Sequence, residues 1–437
     1  MRRILEPDEL AELEALIAQR EPEVRALLAE DGRFDRLQRE AAELFRRYPD
    51  PDNRPPLFGV LVGVKDIFNV DGFPTRAGAS LPPELFAGPE ASSVTALKAA
   101  GALILGKTVT TEFAYFAPGP TRHPLSARLG EVRTPGGSSS GSAAAVAAGF
   151  APLALGTQTI GSVIRPAAFC GVVGFKPSFG RVPRDGVLPL SPSADTVGWF
   201  TGSVADAALT AALLIPDWQE GKYETEDTNS ASEAVVLGIP EGAYLQRASA
   251  EGLAHFWAAV RRLESTGCVV RPVAALADYD DIYRRHNALV AYEAAQAHAA
   301  WFAAYGEAYH PKTAELIARG RAVSDADYRA ARDGRELLRH ELHRLMDERG
   351  IDLWIAPPAV GPALRGLEST GDPVMALPWT HAGLPALSLP SGTDAAGWPL
   401  GLQVVGRFGE DETMLRLTSR LPSGNGYAGG PVGRAFA

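Results

Sequence analysis

The stretch TPGGSSSGSAAAVAAGFAPLALGTQTIGSVIRPAAFCGVVG, residues 134–174, carries the features that decide how this chain folds. Two clusters of glycine and hydroxylated residues, 136–142 and 157–162, flank an alanine-rich segment. Glycines let backbone N–H groups approach a ligand closely, and serines supply nucleophiles and proton relays. The clusters alternate with apolar runs at 150–155 and 169–173, whereas a flexible Ser/Gly linker would not. The stretch therefore predicts ordered structure around a polar site.

Length and composition limit the classes of protein that fit. The 437 residues suit two or three average domains or one large α/β domain. A net charge of −10 argues against nucleic acid as the main partner, because phosphate binding needs a basic face. Cys170 and Cys268 cannot form a disulfide framework, and their apolar surroundings predict two buried thiols. Neither a signal peptide nor a run long enough to span a bilayer is recognisable, so we expect a cytoplasmic protein without membrane contact.

Strand-like and helix-like patterns alternate along the chain. Short apolar runs predict strands at 58–67, 102–105, 172–173, 198–200, 235–240, 268–270, 352–357, 386–390 and 402–405. Helical periodicity predicts helices within 7–48, at 92–100, after Ser142, and at 204–214, 251–264, 278–348 and 411–421. This interleaving predicts an α/β fold with a mostly parallel or mixed sheet.

Two segments indicate how the chain is divided. The proline-rich residues 49–56 end the first helical region, so we predict an N-terminal helical arm at 1–50 and a main domain at 51–437. The arm could pack on the main body or form a homodimer. Residues 217–233 are acidic and poor in apolar side chains, which predicts a mobile surface connection.

Residues 101–108, GALILGKT, literally match the phosphate-loop pattern GxxxxGK[ST]. That loop needs a glycine-rich turn between a strand and a helix. Here the variable positions favour a buried strand and follow a predicted helix, so we expect no nucleotide and no other cofactor. The histidines are scattered, and neither cysteine has a partner at metal-ligand spacing, so we expect no metal site.

Lys65 is the candidate general base. A Ser–His–Asp hydrolase would need an elbow such as G-x-S-x-G, and the frame around Ser140 has the wrong length. A lysine can serve instead if burial keeps it neutral. Lys65 lies in the apolar run 63–67, where a charged side chain is unexpected. The alternative is a structural salt bridge to Asp66 or another acid.

Three ordered motifs make the chain similar to the amidase signature family of Ser–cis-Ser–Lys hydrolases. GVKD at 63–66 resembles the family's lysine motif, GGSS at 136–139 its second motif, and TQTIGSVIRP at 157–166 its nucleophile segment. Ser138 and Ser162 are 24 positions apart, as the family's two serines are. The resemblance covers about 56–421 and implies one large domain, with a mixed central sheet covered by helices on both faces.

The resemblance also implies roles for the matching residues. Ser162 would be the nucleophile, Ser138 the bridging serine after a cis peptide bond, and Lys65 the neutral base. The family's oxyanion hole would correspond to the backbone N–H groups of Thr159, Ile160, Gly161 and Ser162. The implied reaction cleaves the C–N bond of a small-molecule amide through an acyl-enzyme, and it releases a carboxylate and ammonia or an amine.

The motifs do not determine which amide the site binds. Arg165 could hold a substrate carboxylate, or it could pair with a structural acid such as Asp195. Gly137 and Thr157 are further candidate substrate-binding residues. Four aromatic side chains in or beside predicted loops could instead favour an aryl or alkyl amide, although core packing is the default for each of them: Tyr115, Phe116, Trp354 and Trp379.

Two functions fit these motifs. The first is a stand-alone amidohydrolase. The second is the amidase subunit of a tRNA-dependent amidotransferase, which would need partner subunits, ATP and tRNA and which shares a stretch like AAFCGVVG. Because Arg165 lies one position later than in the amidotransferase-like Ser-Ile-Arg-x-Pro, we favour the hydrolase.

Overall fold

A ten-stranded mixed sheet organises the computed structural model, which describes residues 1, 7–224 and 234–422. In chain order the strands are β1 (Leu61–Lys65), β2 (Leu103–Thr108), β3 (Leu153–Gln158), β4 (Val173–Lys176), β5 (Thr196–Thr201), β6 (Val236–Glu241), β7 (Val269–Ala274), β8 (Leu353–Ala356), β9 (Ala386–Thr393) and β10 (Pro399–Val405). Their order across the sheet is β2-β1-β3-β5-β4-β9-β10-β8-β6-β7. Neighbours are parallel in β2-β1-β3 and β8-β6-β7 and antiparallel between them. The predicted mixed sheet is confirmed.

Helices cover both faces of this sheet, and strands β1 to β5 are therefore buried at every position. Within the described ranges the helices are α1 (Pro7–Val24), α2 (Arg33–Arg47), α3 (Ser92–Ala99), α4 (Ser126–Leu129), α5 (Ser140–Ala148), α6 (Ile164–Cys170), α7 (Val204–Leu214), α8 (Glu220–Glu224), α9 (Ala250–Ser265), α10 (Tyr279–Ala297), α11 (Ala299–Tyr305), α12 (Pro311–Ala322), α13 (Asp325–Arg349), α14 (Leu377–Ala382) and α15 (Asp411–Ser419). None of them combines the length and apolar character that crossing a bilayer requires.

The structure corrects several details of the predicted elements. Helix α3 begins at Ser92, as predicted, but ends at Ala99; the hydroxyl of Ser92 donates to Asp185 at 2.8 Å. Cys170 is buried as predicted, but Cys268 is only half-buried because it lies just before the exposed edge strand β7. Within the predicted mobile connection 217–233, residues 220–224 form α8 and residues 225–233 lie outside the described residues.

The two arm helices, α1 and α2, pack against the main body. Leu13 and Ile17 share a hydrophobic cluster with Leu103 of β2 and with residues of α5. The guanidinium of Arg36 donates to the backbone carbonyl of Ile104 at 3.0 Å. The arm therefore covers the β2 side of the sheet. The boundary at residue 50 and a homodimer stay predictions.

Parallel pairing brings the three sequence motifs together. Val64 pairs with Leu155, so Lys65 at the end of β1 lies beside the carboxyl end of β3. Both serine segments follow a similar plan, since 136–139 leads into α5 and 159–163 leads into α6. The carboxyl ends of parallel strands are the usual place for a site in an α/β sheet.

Candidate active site

Lys65 is fully buried between two hydroxyl groups. Its Nζ atom lies 2.8 Å from Oγ of Ser138 and 2.8 Å from Oγ1 of Thr157. Burial lowers the pKa of Lys65 to about 7, although the charge of Asp195 acts in the opposite direction. Asp66, the suggested salt-bridge partner, binds the Nζ atom of Lys107 at 2.9 Å instead. The amine of Lys65 can therefore be neutral near neutral pH.

The loop that carries Ser138 is fixed on both sides. The Gly137–Ser138 peptide bond is cis, and the carbonyl of Gly137 accepts from the guanidinium of Arg165 at 2.7 Å. The carbonyl of Ser138 accepts from the N–H of Thr111 at 3.2 Å. Gly136 has a left-handed φ of 84°, and a Cβ there would lie 2.8 Å from the backbone of Pro166. Only glycine allows this close approach between the two motifs.

Ser162 lies in a narrow cleft and keeps 8 % of its surface exposed. About 10 Å³ of the cleft is free for the centre of a water molecule, which is room for roughly one water. We call this space the cleft; its lining consists of Ala114, Tyr115, Phe116, Ser138, Thr159, Ile160, Gly161, Ser162, Arg165, Leu190 and Pro373. The two serines that the sequence singled out thus meet in one small space.

The backbone between β3 and α6 lines the cleft and contains unused donors. Among the described residues, no hydrogen bond uses the N–H of Ile160, Gly161 or Ser162. The next two N–H groups, those of Val163 and Ile164, donate to the side-chain carbonyl of Gln158 at 2.8 and 3.0 Å. Buried N–H groups are normally paired, so three free ones beside a serine suit an incoming oxyanion.

Arg165 is 1 % exposed and lines the same cleft. Its Nη2 atom donates to the carbonyl of Gly137 and to the hydroxyl of Thr370, at 2.7 and 3.2 Å. Its Nε and Nη1 atoms are buried without a partner among the described residues. Burial lowers the pKa of Arg165 to about 10, with Asp372 opposing, so the group is cationic at neutral pH. Asp195 does not pair with it and instead accepts from the hydroxyl of Thr159 at 2.6 Å.

The other candidate substrate-binding residues divide between the cleft and its surroundings. Tyr115 and Phe116 line the cleft. Thr157 lies beside Lys65 instead, and Gly137 packs so tightly on Thr370 that a Cβ would come within 2.7 Å. Trp354 and Trp379 are fully buried in the hydrophobic core, so the default of core packing holds for both and neither is a pocket wall.

Sequence reasoning missed several residues that surround the cleft. His286 in α10 lies 3.1 Å from the carbonyl oxygen of Thr159, and Thr380 in α14 donates to that of Ile160 at 2.7 Å. No local motif marks either of them. Glu112 lies two positions before the cleft residue Ala114 and outside the three motifs of the sequence.

Glu112 ties the cleft wall to a helix. Its carboxylate accepts the N–H of His310 at 3.0 Å and the hydroxyl of Thr313, both at the start of α12. Phe113 and Ala114, which follow it, have left-handed φ values of 47° and 59°. A strained backbone persists only where its surroundings hold it, and this anchor supplies such a restraint.

The fold and the cleft together define a class of protein: an α/β enzyme with a lysine–serine pair and a second serine beside free backbone donors. Residues 17–415 match the model of the family described as Amidase, so the chain belongs to that family. The expected membership of the amidase signature family is thereby confirmed. No group of three His, Cys, Asp or Glu residues suited to a metal occurs in the part of the chain that the structure describes.

Known proteins resemble the chain over nearly its full length. The A subunit of glutamyl-tRNA(Gln) amidotransferase from Synechococcus sp. (strain RCC307) is 34% identical and covers 92% of this chain and 90% of its own. The protein of the same name from Roseiflexus castenholzii (strain DSM 13941 / HLO8) is 33% identical, over 92% and 89%. A crystal structure of an amidase superposes with a TM-score of 0.81, 34% identity and 95% coverage of each chain. The structure of native peptide amidase from Stenotrophomonas maltophilia superposes with a TM-score of 0.75 and 27% identity. The match covers 95% of this chain and 93% of that chain.

Proposed function

We propose that the chain is an amidohydrolase that cleaves the C–N bond of a small carboxylated amide through an acyl-enzyme on Ser162. The observation that carries this proposal is the 2.8 Å contact between Lys65 Nζ and Ser138 Oγ at the edge of the cleft that holds Ser162. A serine hydroxyl is a poor nucleophile without a base, and this contact offers one.

The first step is the attack of Ser162 Oγ on the amide carbonyl carbon. The Ser162 proton passes to Ser138 Oγ while the Ser138 proton passes to the neutral amine of Lys65. Thr157, 2.8 Å from the amine, accepts one of its N–H bonds and so directs the lone pair toward Ser138. The C–N bond is still intact at this stage, and the carbonyl oxygen has become an oxyanion.

The second half completes the hydrolysis. The free N–H groups near Ser162 stabilise the oxyanion, an effect often worth about 3 kcal/mol per donor. The relay then runs backwards, so the Lys65 proton reaches the leaving nitrogen through Ser138 as the C–N bond breaks. Water attacks the acyl-enzyme by the same route and releases the carboxylate. Ammonia or an amine is the other product.

Arg165 supports a carboxylate on the substrate. Its Nε and Nη1 atoms are buried, unpartnered donors on a cation, and burying such donors unpaired is costly. These two donors lie on different edges of the planar guanidinium, so a substrate carboxylate would accept a charge-assisted hydrogen bond from one of them. The narrowness of the cleft favours a short acyl chain over an aryl one.

A second candidate is the amide-hydrolysing subunit of a tRNA-dependent amidotransferase. The names of the curated relatives favour this candidate over the stand-alone enzyme. The position of Arg165 in SVIRP and the net charge of −10 support the stand-alone enzyme. Both candidates use the same acyl-enzyme chemistry. The absence of a nucleic-acid partner is therefore still a prediction.

The test measures ammonia release by the purified chain without ATP, tRNA or partner subunits. Its substrates are malonamate, succinamate, glutaramate and L-glutamine, with propionamide and butyramide as neutral controls. We expect release from the carboxylated amides, and none from the Ser162→Ala variant. Release that appears only after partner subunits are added would favour the second candidate. Turnover by Ser162→Ala would contradict both.

A further inference from the structure

Two side chains outside the cleft hold carbonyl oxygens of the 159–162 turn. The Nε2 atom of His286, in α10, lies 3.1 Å from the carbonyl oxygen of Thr159. The hydroxyl of Thr380, in α14, donates to the carbonyl of Ile160 at 2.7 Å. Both side chains are buried, His286 completely. The two contacts fix consecutive peptide groups at the point where the backbone passes the cleft.

Because a peptide group is planar, these contacts also fix the directions of the N–H groups of Ile160 and Gly161. The C=O and N–H of a trans peptide group point in opposite directions, and the one cis bond in the described ranges lies elsewhere. Holding the carbonyl of Thr159 therefore turns the N–H of Ile160 away from α10. Holding the carbonyl of Ile160 likewise turns the N–H of Gly161 away from α14. Both N–H groups belong to residues that line the cleft and make no hydrogen bond among the described residues.

We propose that His286 and Thr380 are positioning residues that aim the N–H groups of Ile160 and Gly161 at the oxyanion formed on Ser162. The inference rests on the proposed function, because it assigns a purpose to donors that only an acyl-transfer reaction would use. Such donors are effective when they are fixed before the reaction, so that no reorganisation is needed in the transition state.

A second histidine fixes the proton position of the first. The Nδ1 atoms of His286 and His381 are 3.3 Å apart. A carbonyl only accepts, so His286 carries its proton on Nε2, and its Nδ1 accepts from the Nδ1–H of His381. Burial, and secondarily the charge of Arg335, lowers the pKa of His286 to about 3; burial also lowers the pKa of His381 well below its ordinary value. Both rings are neutral, and the donor to Thr159 is the same throughout the working pH range.

Thr380 connects the turn to the start of α6. Its hydroxyl accepts from the Nε2 of Gln158 at 2.9 Å and has a single proton to donate. The carbonyl of Ile160, at 2.7 Å, is nearer than that of Ala376, at 3.1 Å, and is the better acceptor. Since Gln158 also binds the first N–H groups of α6, one hydroxyl links the turn to the helix that follows it.

The test compares Thr380→Val, which removes the hydroxyl at similar volume, with Thr380→Ser, which keeps it. Kinetics use the best amide of the panel, and methylboronic acid serves as a probe because its serine adduct is tetrahedral. We expect Thr380→Val to lower kcat about 10-fold and to weaken the binding of methylboronic acid by a similar factor. KM should change less than about 2-fold. Thr380→Ser should retain the wild-type kcat and the wild-type affinity for methylboronic acid. Wild-type kcat in Thr380→Val, or a loss confined to KM, would overturn the proposal.

His286 gives an independent measurement if Thr380→Val does not fold. His286→Leu removes the donor to Thr159, whereas the amide of His286→Gln can replace it. We expect a lower kcat only in the leucine variant, with both variants folded as judged by thermal unfolding. Equal kcat values in the two variants would count against the proposal. If Ser162→Ala keeps its turnover, the proposed function fails; if it is inactive while Thr380→Val and His286→Leu are fully active, only this inference fails.

Discussion

The Nζ atom of Lys107 lies 2.9 Å from Oδ1 of Asp66, and at most 3 % of either side chain is exposed. The acid that follows Lys65 in the chain is therefore neutralised by a lysine from the neighbouring strand. Lys65 is left with two hydroxyl partners. Lys107 belongs to the GALILGKT segment, which resembles a phosphate loop in its letters. In the structure its lysine pairs with Asp66 instead.

Breaking this pair should destabilise the protein. Lys107→Met leaves the carboxylate of Asp66 buried without its cation, and loss of one partner of a buried pair typically costs about 3–5 kcal/mol. The double variant Lys107→Met/Asp66→Asn removes the unpaired charge and should recover most of that loss. Urea unfolding of the three proteins measures the effect. A single variant as stable as the wild type, or a double variant no better than the single one, would show that the pair is unimportant.

Activity should depend on the protonation of Lys65. Because burial lowers its pKa to about 7, we expect kcat/KM to rise with pH and to level off above a midpoint near that value. Lys65→Met should abolish activity. A flat pH profile between pH 5 and 9, or an active Lys65→Met variant, would contradict the assignment.

The same pKa shift predicts a cost in stability. The folded pKa of about 7 lies below the ordinary value of 10.5, so the unfolded chain binds this proton more tightly. The stability of the wild type relative to Lys65→Met should therefore fall as pH drops from about 10.5 to about 7, and then stay constant. Parallel stability curves for the two proteins across this range would contradict the shift.

Local patterns predicted much of the fold. Helix α7 has the predicted bounds because Ser203 caps it and accepts the N–H of Asp206 at 3.1 Å. Strand β3 escaped prediction because its sequence contains Gly156, where a Cβ would lie 2.8 Å from Phe200 and from Ser139. Close packing demands a small residue there, and small residues weaken the strand pattern.

Some residues of the site can be predicted from the sequence and others cannot. Lys65, Ser138 and Ser162 lie in contiguous motifs, so the sequence alone can single them out. His286 and His381 are separated by 95 positions and meet only when α10 packs on α14. Scattered histidines carry no local signal for such a contact. Side chains that bind a backbone carbonyl, as His286 and Thr380 do, do not depend on a sequence motif in the segment they bind, so no motif indicates them.

Ser162→Ala should abolish turnover because Ser162 carries the acyl group in the proposed reaction. Ser140→Ala is the matched control: Ser140 is a buried serine of the neighbouring motif, it does not line the cleft, and its hydroxyl donates to the carbonyl of Val109 at 3.4 Å. It should keep most of the activity. Labelling with a fluorophosphonate and mass spectrometry should place the adduct on Ser162. An adduct on another serine would refute the nucleophile.

Loosening the cleft wall should weaken substrate binding. Glu112→Ala removes a carboxylate that caps the start of α12, which should cost about 1–2 kcal/mol in stability. The segment that carries Ala114 would then be less restrained, so KM should rise more than kcat falls. Glu307→Ala, which changes an exposed acid near the same helix, is the control. If the two variants behave alike, Glu112 has no special part in shaping the cleft.

The specificity ratio tests Arg165. A lysine at this position has one amine, so it can contact either the carbonyl of Gly137 or a substrate carboxylate. Disturbing Gly137 also disturbs Ser138, and this should lower kcat for every amide. The ratio of kcat/KM for succinamate to that for butyramide cancels this shared loss. We expect Arg165→Lys to lower the ratio about 10- to 100-fold, the usual effect of losing a hydrogen bond to a charged group.

Arg133→Lys is the matched control for this measurement. Arg133 is also buried and donates to a backbone carbonyl, that of Ala363 at 2.9 Å, but it does not line the cleft. Its lysine variant should leave the ratio unchanged, whatever it does to stability. If Arg165→Lys also leaves the ratio unchanged, the free Nε and Nη1 atoms do not recognise a carboxylate. Arg165 would then act only on the loop of Gly137, and the proposed substrate class would fall while the acyl-enzyme chemistry stood.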